Sequence, residues 1–355
     1  MQTQNGTRCC FWGVLPFLAI TGVTSAQVSF TQYPLPTASG GPYGIAAGPD
    51  GALWFAEYQS GKIGRATTAG AFTEYGTPTS ASGPSLIVKG PDGALWFTES
   101  NANQIGRITT GGAFSEYPIP TAGSFPFGIA AGPDGALWFT EQAGNKVGRI
   151  PTSGSPVTEY PIPTANSQAQ VIAAGPDGAL WFAEFKGNKI GRIATSGGSV
   201  AEYPVPTANS GPVGIVTGPD GALWFTEGRS GIAGRITTNG QFTEYPLPSA
   251  SPVGIAVGPD GALWIACANA LARITTAGAA SQYPTTGTAN FPVAGPDGAI
   301  WFTGGTYGAG AIDRAAIPGS FFPTGTPISP TWVLMLLAML AIGACVAAKR
   351  IHARP

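Results

Sequence analysis

Short apolar runs separated by turns of Gly, Pro and Asp form the basic pattern of this chain. The apolar run at 44–48 predicts a strand that is buried on both faces. A Pro-Asp-Gly turn follows at 49–51, where Pro fixes φ and Gly adopts the left-handed conformation. Residues 52–57 carry bulky side chains on both faces of a second strand, and 62–65 and 72–75 predict a third and a fourth. One unit of about forty residues therefore holds four antiparallel strands.

This unit recurs seven times. The phrase GPDGALWF, with one conservative change in each of the last two copies, starts at Gly48, Gly90, Gly132, Gly175, Gly218, Gly258 and Gly295, so the starts lie 37 to 43 residues apart. Four strands per unit at this period are typical of β-propeller blades. The prediction is an all-β, seven-bladed β-propeller of four-stranded blades.

The order of the repeated phrases predicts how the ring closes. Versions of the fourth-strand phrase FTEYPLP also occur seven times, but the first copy, at 30–36, precedes the first turn phrase. No copy follows the last unit, which stops at 312–314. We therefore expect the N-terminal strand to complete the last blade, because closure removes the exposed edges of an open array. A linear solenoid would instead need polar capping repeats.

The two ends of the chain have a different composition from the repeats. Residues 1–26 combine one Arg, an apolar run and a small-residue end, which predicts a secretory signal peptide cleaved after Ala26, the alternative being a retained N-terminal anchor. The remaining segments are a propeller at 27–320, a Pro/Gly/Thr linker at 321–331, a transmembrane or sorting helix at 332–348 and a basic cytoplasmic tail at 349–355. The linker, helix and basic end resemble the C-terminal sorting tails of Gram-negative surface proteins, and a plain anchor helix is the alternative.

Charge and residue usage narrow the function classes. Only 10% of residues are charged and the net charge is −1, so we expect neither a nucleic-acid partner nor adsorption to anionic lipid. Within the repeats, Cys267 is the only cysteine, and His352 is the only histidine of the chain. Histidine-based catalysis and His or Cys metal sites are therefore not expected in the propeller. A hard cation held by carboxylates is the one metal class that remains.

Nearly all the acidic residues belong to repeated series. Of the 18 acids, 17 lie in the Pro-Asp-Gly turns, at the ends of the second strands or in the fourth strands, and Asp313 is the exception. We interpret the turn aspartates as partners of the local backbone. The Trp and Tyr series, which include Trp54 and Tyr75, are interpreted as packing between blades.

The glutamates at the ends of the second strands are the series that breaks, because Cys267 and Gly304 replace them in the last two units. In a meander, these ends share a face, here called the top face, with the loops that lead into the first strands. Those loops vary between units, and variable loops on a rigid scaffold often bind ligands. The candidate ligand-binding residues of the top face are Glu57, Glu99, Glu141, Glu184, Glu227, Tyr43 and Phe127. The alternative is that each glutamate pairs with a nearby Lys or Arg of the third strand, such as Arg65.

The repeated text GIAAGPDGALWFTE, NKIGRI and FTEYPLPT resembles the streptogramin (virginiamycin B) lyase family over about residues 30–316. The resemblance implies a seven-bladed propeller whose Mg²⁺-assisted lyase activity opens cyclic streptogramin B antibiotics at an ester bond by elimination. It also implies a histidine base and a glutamate-held metal on the top face. This sequence has no histidine in its propeller, so the base has no counterpart here.

Three hypotheses for function follow. The first is an exported, membrane-tethered propeller at the cell envelope or bacterial cell surface, which we expect to be a monomer that binds a small molecule or a surface protein or glycan without catalysis. The second is a lyase that uses Mg²⁺ and a Tyr or Glu base; Mg²⁺ is expected as a cofactor only in that case. The third is a structural or adhesion module of the envelope.

Overall fold

The computed structural model describes residues 27–318 apart from 38 and 307–308, and all regular structure within them is β-strand. The signal peptide, the linker and the transmembrane or sorting helix expected from the sequence lie outside the described residues. Among the residues that are described, none forms a helix with the length and apolar character needed to cross a membrane.

The strands form seven separate four-stranded antiparallel sheets, which are the predicted blades. The N-terminal strand is β1 (Ser29–Pro34). Blades 1 and 2 contain β2 (Pro42–Ala47), β3 (Leu53–Glu57), β4 (Lys62–Ala66) and β5 (Phe72–Gly76), then β6 (Pro84–Lys89), β7 (Leu95–Glu99), β8 (Gln104–Ile108) and β9 (Phe114–Pro118). Blades 3 and 4 contain β10 (Pro126–Ala131), β11 (Ala136–Glu141), β12 (Lys146–Pro151) and β13 (Thr158–Pro161), then β14 (Ala169–Ala174), β15 (Ala179–Glu184), β16 (Lys189–Ala194) and β17 (Ala201–Pro204). Blades 5 and 6 contain β18 (Pro212–Thr217), β19 (Leu223–Glu227), β20 (Ile232–Ile236) and β21 (Phe242–Pro246), then β22 (Ile255–Val257), β23 (Leu263–Cys267), β24 (Ala270–Ile274) and β25 (Ala280–Pro284). Blade 7 contains β26 (Thr288–Ala294), β27 (Ile300–Thr306) and β28 (Ala309–Ala316).

The predicted closure of the ring is confirmed. Strand β1 pairs with β28 as the outer strand of blade 7, with Ser29 opposite Ala316 and Pro34 opposite Ala311. A second contact joins the last blade to the first, because the Thr303 hydroxyl donates a hydrogen bond to the carbonyl of Tyr43. The first and last described segments thus meet within one sheet, on the face of the Pro-Asp-Gly turns, which we call the bottom face.

The packing roles of the Trp and Tyr series are also confirmed. Trp54 is fully buried and stacks on Tyr75 of its own blade, with ring centroids 5.7 Å apart. The same Trp54 belongs to one apolar cluster with Ile87 and Phe97 of blade 2. Equivalent clusters fill the spaces between the other blades. Burying seven indoles between sheets supplies much of the apolar area that stabilises the ring.

The turn aspartates bind more than the local backbone. Asp50 Oδ1 accepts a long bond of 3.4 Å from the Ala52 N–H, but it also accepts a 3.0 Å bond from the Trp54 indole. Asp50 Oδ2 lies 2.7 Å from Arg65 Nε. Burial would raise the pKa of Asp50, yet the bonds from Trp54 and Arg65 lower it overall. Each of these aspartates therefore fixes the position of a buried indole and of a third-strand arginine.

The fourth-strand glutamates hold the link between consecutive blades. Glu74 accepts bonds from the Thr37 N–H (3.0 Å) and the Thr37 hydroxyl (2.7 Å), and Thr37 lies between β1 and β2. Lys62 Nζ lies 2.7 Å from the same carboxylate. In blades 1 to 5 the chain is thus tied to the outer strand before it enters the inner strand.

Candidate functional site

The top face carries a pocket of about 440 Å³ above blades 1, 2, 3 and 7. Its lining consists of Gly41, Pro42, Tyr43, Tyr58, Gln59, Ser85, Phe125, Phe127 and Asn290. Two of the predicted top-face residues, Tyr43 and Phe127, are therefore brought together here. Ser85, one of the variable positions in the sequence pattern, lies beside them.

A β-bulge turns these side chains toward the centre of the ring. The register between β2 and β3 shifts by one residue between Pro42 and Ile45, so that Tyr43 and Gly44 of the first strand oppose a single residue of the second. Such bulges bend a strand and re-aim its side chains. The Tyr43 ring consequently meets Phe127 at 5.8 Å and Phe291 at 5.2 Å between centroids. Aromatic side chains of blades 1 and 3 line the pocket, and Phe291 of blade 7 packs against Tyr43.

Phe125 is a pocket residue that sequence reasoning missed. Its φ is 53°, whereas the equivalent positions in blades 1, 2 and 5 are Gly41, Gly83 and Gly211, all with positive φ. A non-Gly residue in this conformation costs on the order of 1 kcal/mol or more. The available signal was a Phe at a position where three other units have Gly. Gln168 and Ser251 also have a positive φ at this position in blades 4 and 6, 49° and 54°, so the conformation belongs to the repeat, and in blade 3 it places an aromatic ring in the pocket lining.

The pocket lining carries no charged side chain. Its polar groups are the amides of Gln59 and Asn290, the Ser85 hydroxyl and the two tyrosine hydroxyls. Burial raises the pKa of Tyr43, with a smaller contribution from Tyr58, so its phenol stays neutral around pH 7. A neutral aromatic concavity with a few hydrogen-bonding groups suits an uncharged, partly apolar ligand.

The five predicted glutamates share the top face but do not line this pocket. Glu57 pairs with Pro42 across the first two strands, one residue from Tyr43, yet it is completely buried. The other four are equally buried at the ends of their strands. Both carboxyl oxygens of Glu99, Glu141 and Glu184 lack a hydrogen bond within the described residues, as does one oxygen of Glu57 and of Glu227.

Burial gives these carboxyls an unusual proton affinity. It raises the pKa to about 7 at Glu57, Glu99 and Glu141, and to about 8 at Glu184. Neighbouring carboxylates such as Glu159, beside Glu141, raise it further. The Ser82 hydroxyl lies near enough to lower the pKa of Glu99 slightly, although it makes no hydrogen bond of standard geometry. At neutral pH a large share of these groups is protonated and uncharged.

The alternative in which these glutamates pair with third-strand cations is wrong. Arg65 and its equivalents bind the turn aspartates at the other end of the strand, and Lys62 binds Glu74. The alternation of a strand explains this: Arg65 lies opposite Trp54, three residues from Glu57. The ion pairs of the described scaffold therefore use the turn aspartates and the fourth-strand, or outer, glutamates, and none is formed by the second-strand, or inner, glutamates.

The inner glutamates do not fit the Mg²⁺ site that the resemblance implies. Each belongs to a different blade, and within the described residues no group of three His, Cys, Asp or Glu side chains is placed to hold a metal ion. The pocket itself offers no carboxylate that could hold Mg²⁺ beside a bound ligand.

The family model described as "Virginiamycin B lyase family" matches residues 28–251 and 233–327 of this chain. The chain belongs to the virginiamycin B lyase family. The resemblance found in the repeated text is thereby confirmed.

Solved structures agree along the whole ring. A selenomethionine-substituted virginiamycin B lyase from Staphylococcus aureus is 37% identical, with 82% of this chain and 100% of that chain covered and a TM-score of 0.77. A catalytically inactive histidine-to-alanine variant of the S. aureus enzyme with quinupristin is 36% identical, with the same coverage and a TM-score of 0.77. A curated virginiamycin B lyase from Saccharopolyspora erythraea is 51% identical over 43 residues, which are 12% of this chain and only 14% of that protein.

Proposed function

We propose that this member of the virginiamycin B lyase family is an exported, membrane-tethered binding protein that takes a neutral, aromatic or otherwise apolar small molecule into the top-face pocket without catalysing the lyase reaction. The observation that supports this most directly is the pocket itself. Tyr43, Phe125 and Phe127 supply aromatic surface, and Gln59 and Asn290 supply neutral hydrogen-bonding groups. This composition is typical of small-molecule sites, where a few polar groups orient an apolar ligand.

The residues that could replace a histidine base are poorly suited to that role. The propeller contains no histidine. Burial raises the pKa of Tyr43, which makes its phenolate scarce at neutral pH. The inner glutamates are buried and do not line the pocket. A general base must reach the proton that it removes, so none of these groups supports elimination.

Export and tethering rest on the terminal segments of the sequence. Residues 1–26 have the pattern of a signal peptide, and 332–348 are apolar and followed by Lys349 and Arg350. Strand β1 starts and β28 ends on the bottom face, opposite the pocket. A tether that continues from Pro318 would therefore leave the pocket facing away from the membrane.

A lyase is the second candidate, because this chain is similar over the full length of a virginiamycin B lyase. It would require Mg²⁺ and a base that the pocket residues do not provide. Linearisation by elimination within a ring leaves the mass unchanged, so chromatography rather than mass distinguishes the product from the substrate.

The test uses two probes, quinupristin and the neutral, apolar dye Nile red. We expect saturable binding of at least one probe to the full-length chain, and at least tenfold weaker binding after Tyr43→Ala. Phe185→Ala is the control, because Phe185 packs under Arg229 outside the pocket. Time-dependent linearisation of quinupristin with Mg²⁺ would replace this proposal by the lyase. Absence of saturable binding of both probes would favour the structural or adhesion role.

A further inference from the structure

Blade 5 contains an inner and an outer glutamate without the lysine that accompanies the same pair in blades 1, 3 and 4. In blade 4, Lys189 Nζ lies 2.6 Å from the outer Glu202 and 2.5 Å from the Thr164 hydroxyl. Its ammonium also lowers the pKa of the inner Glu184 through its charge. Lys62 and Lys146 hold the equivalent place in blades 1 and 3. The lysine thus compensates two neighbouring carboxyls.

The lysine position of blade 5 is Ile232. This residue pairs with Glu227 and Pro246, as Lys189 pairs with Glu184 and Pro204, so the backbone places it equivalently. The other partners are retained. Thr207 donates to the outer Glu244 from its N–H (3.0 Å) and hydroxyl (2.9 Å).

Blade 2 also lacks the lysine, but it fills the position differently. There the Thr79 hydroxyl lies 3.3 Å from Gln104 Oε1, and the same Thr79 binds the outer Glu116. A polar side chain therefore occupies the place of the ammonium. Among the five blades that have both glutamates, blade 5 is the one with an apolar residue there.

The blade 5 pair offers oxygen atoms that no described group satisfies. Glu227 is fully buried, and its Oε1 accepts no hydrogen bond from a described residue. Its Oε2 accepts a 2.9 Å bond from the Ser230 hydroxyl. The carboxyls of Glu227 and Glu244 lie within hydrogen-bonding reach of each other, and the Ser210 hydroxyl is close to Glu227. Ser230 is exposed and Ile232 half-buried, so solvent can approach.

We propose that blade 5 binds one divalent, oxygen-preferring cation between Glu227 and Glu244, where blades 1, 3 and 4 place a lysine ammonium. Burial raises the pKa of Glu227 to about 7, so the cation displaces a proton there. The two carboxylates then supply the charge, and hydroxyl and water oxygens complete the shell. Ca²⁺ fits this arrangement better than Mg²⁺, because Ca²⁺ tolerates irregular sets of six to eight oxygens whereas Mg²⁺ requires a near-octahedral one. The site lies at the edge of blade 5 and shares no residue with the pocket.

Calorimetric titration of the full-length chain with CaCl₂, after removal of bound metal with a chelator, tests the site. We expect one Ca²⁺ per chain with a Kd of about 10⁻⁴ to 10⁻³ M, as in extracellular modules. Ile232→Lys restores the pattern of blade 4, and we expect it to weaken binding at least tenfold while the metal-free protein melts as the wild type does. Lys62→Ile gives blade 1 the pattern of blade 5 and should raise the stoichiometry from one to two.

Two results would overturn the proposal. One is the absence of saturable Ca²⁺ binding by the wild type up to about 10 mM, well above the expected Kd range; the two carboxyls would then share a proton only. The other is unchanged binding in Ile232→Lys, which would place the ion elsewhere. If Ile232→Lys does not fold, Glu244→Gln replaces it, with the same loss expected and the same contradiction if binding persists.

Discussion

The buried carboxyl of Glu141 makes a sharp prediction about pH and stability. Burial raises its pKa from an ordinary value of 4.5 to about 7 in the folded protein. The folded state therefore binds this proton more tightly than the unfolded state does. The contribution of Glu141 to stability is greatest below pH 4.5, falls as the pH rises through the interval from 4.5 to 7, and is constant above it. A rise from 4.5 to about 7 corresponds to roughly 3 kcal/mol for this one group.

Glu141→Gln removes the ionisation and keeps the shape of the side chain. The amide brings an N–H without a partner in a site where both oxygens were unpaired, at a cost of about 1 kcal/mol. The variant should therefore be about 2 kcal/mol more stable than the wild type at pH 8 and about 1 kcal/mol less stable at pH 4.5. The sign of the difference should change at about pH 5, where the wild type has lost about 1 kcal/mol.

Urea unfolding followed by tryptophan fluorescence measures this, because Trp138 in the same blade is fully buried. Glu159→Gln is the matched control. Burial alone would raise the pKa of Glu159, but hydrogen bonds from Lys146 and Thr121 lower it overall. That variant should lose about 1 kcal/mol at pH 8 and approach the wild type at acid pH. A difference between Glu141→Gln and the wild type that did not vary with pH would refute the assignment of a buried, protonated carboxyl.

Three further changes test the scaffold and the pocket. Phe125→Gly removes a side chain from a residue with positive φ, so we expect unchanged stability or a gain of up to about 1 kcal/mol in urea unfolding. Probe binding should weaken at least tenfold, and unaffected binding would show that Phe125 is not part of the site. Asp134→Asn weakens the contacts to the Trp138 indole and Arg149 and should cost about 1–2 kcal/mol at pH 7. Because the pKa of Asp134 is lowered from 3.8, this loss should shrink as the pH falls below 3.8, and a loss that did not shrink in acid would contradict the ionic part of that role. Thr303→Val removes the hydroxyl that donates to the Tyr43 carbonyl where the last blade meets the first, and it should lower the free energy of unfolding by about 1–3 kcal/mol, measured by thermal unfolding. Unchanged stability would show that the pairing of β1 alone closes the ring.

Much of the fold could be read from the repeated text. The strands lie within about two residues of the predicted positions, because each turn is marked by Pro, Asp and Gly at fixed places. The first strand begins at Pro42 and not at 44, since the bulge at Tyr43 and Gly44 leaves no mark in the hydrophobic pattern. The seven copies and the displaced fourth-strand phrase were enough to predict the closed ring.

The site was predictable only in part. Tyr43 and Phe127 could be chosen because they vary where the rest of the unit repeats, and they do lie in one pocket. That Phe125 and Asn290 line the same pocket could not be predicted, because their proximity depends on how four blades meet around the axis. The five inner glutamates end their strands on the same face of the ring, as predicted, but their complete burial could not be inferred from the sequence.

The number of blades, the strand order and the closure could be predicted from the amino-acid sequence, because they follow from local turn chemistry and from the order of repeated phrases. Which charges meet depends instead on the tertiary packing. Arg65 binds Asp50 and not Glu57, since the direction of a side chain depends on the pleat of its strand and on the neighbouring sheet. The same packing buries the inner glutamates and places Ile232 of blade 5 where blade 4 has a lysine. Proton and ion affinity therefore arise from burial and register, which one-dimensional periodicity does not encode.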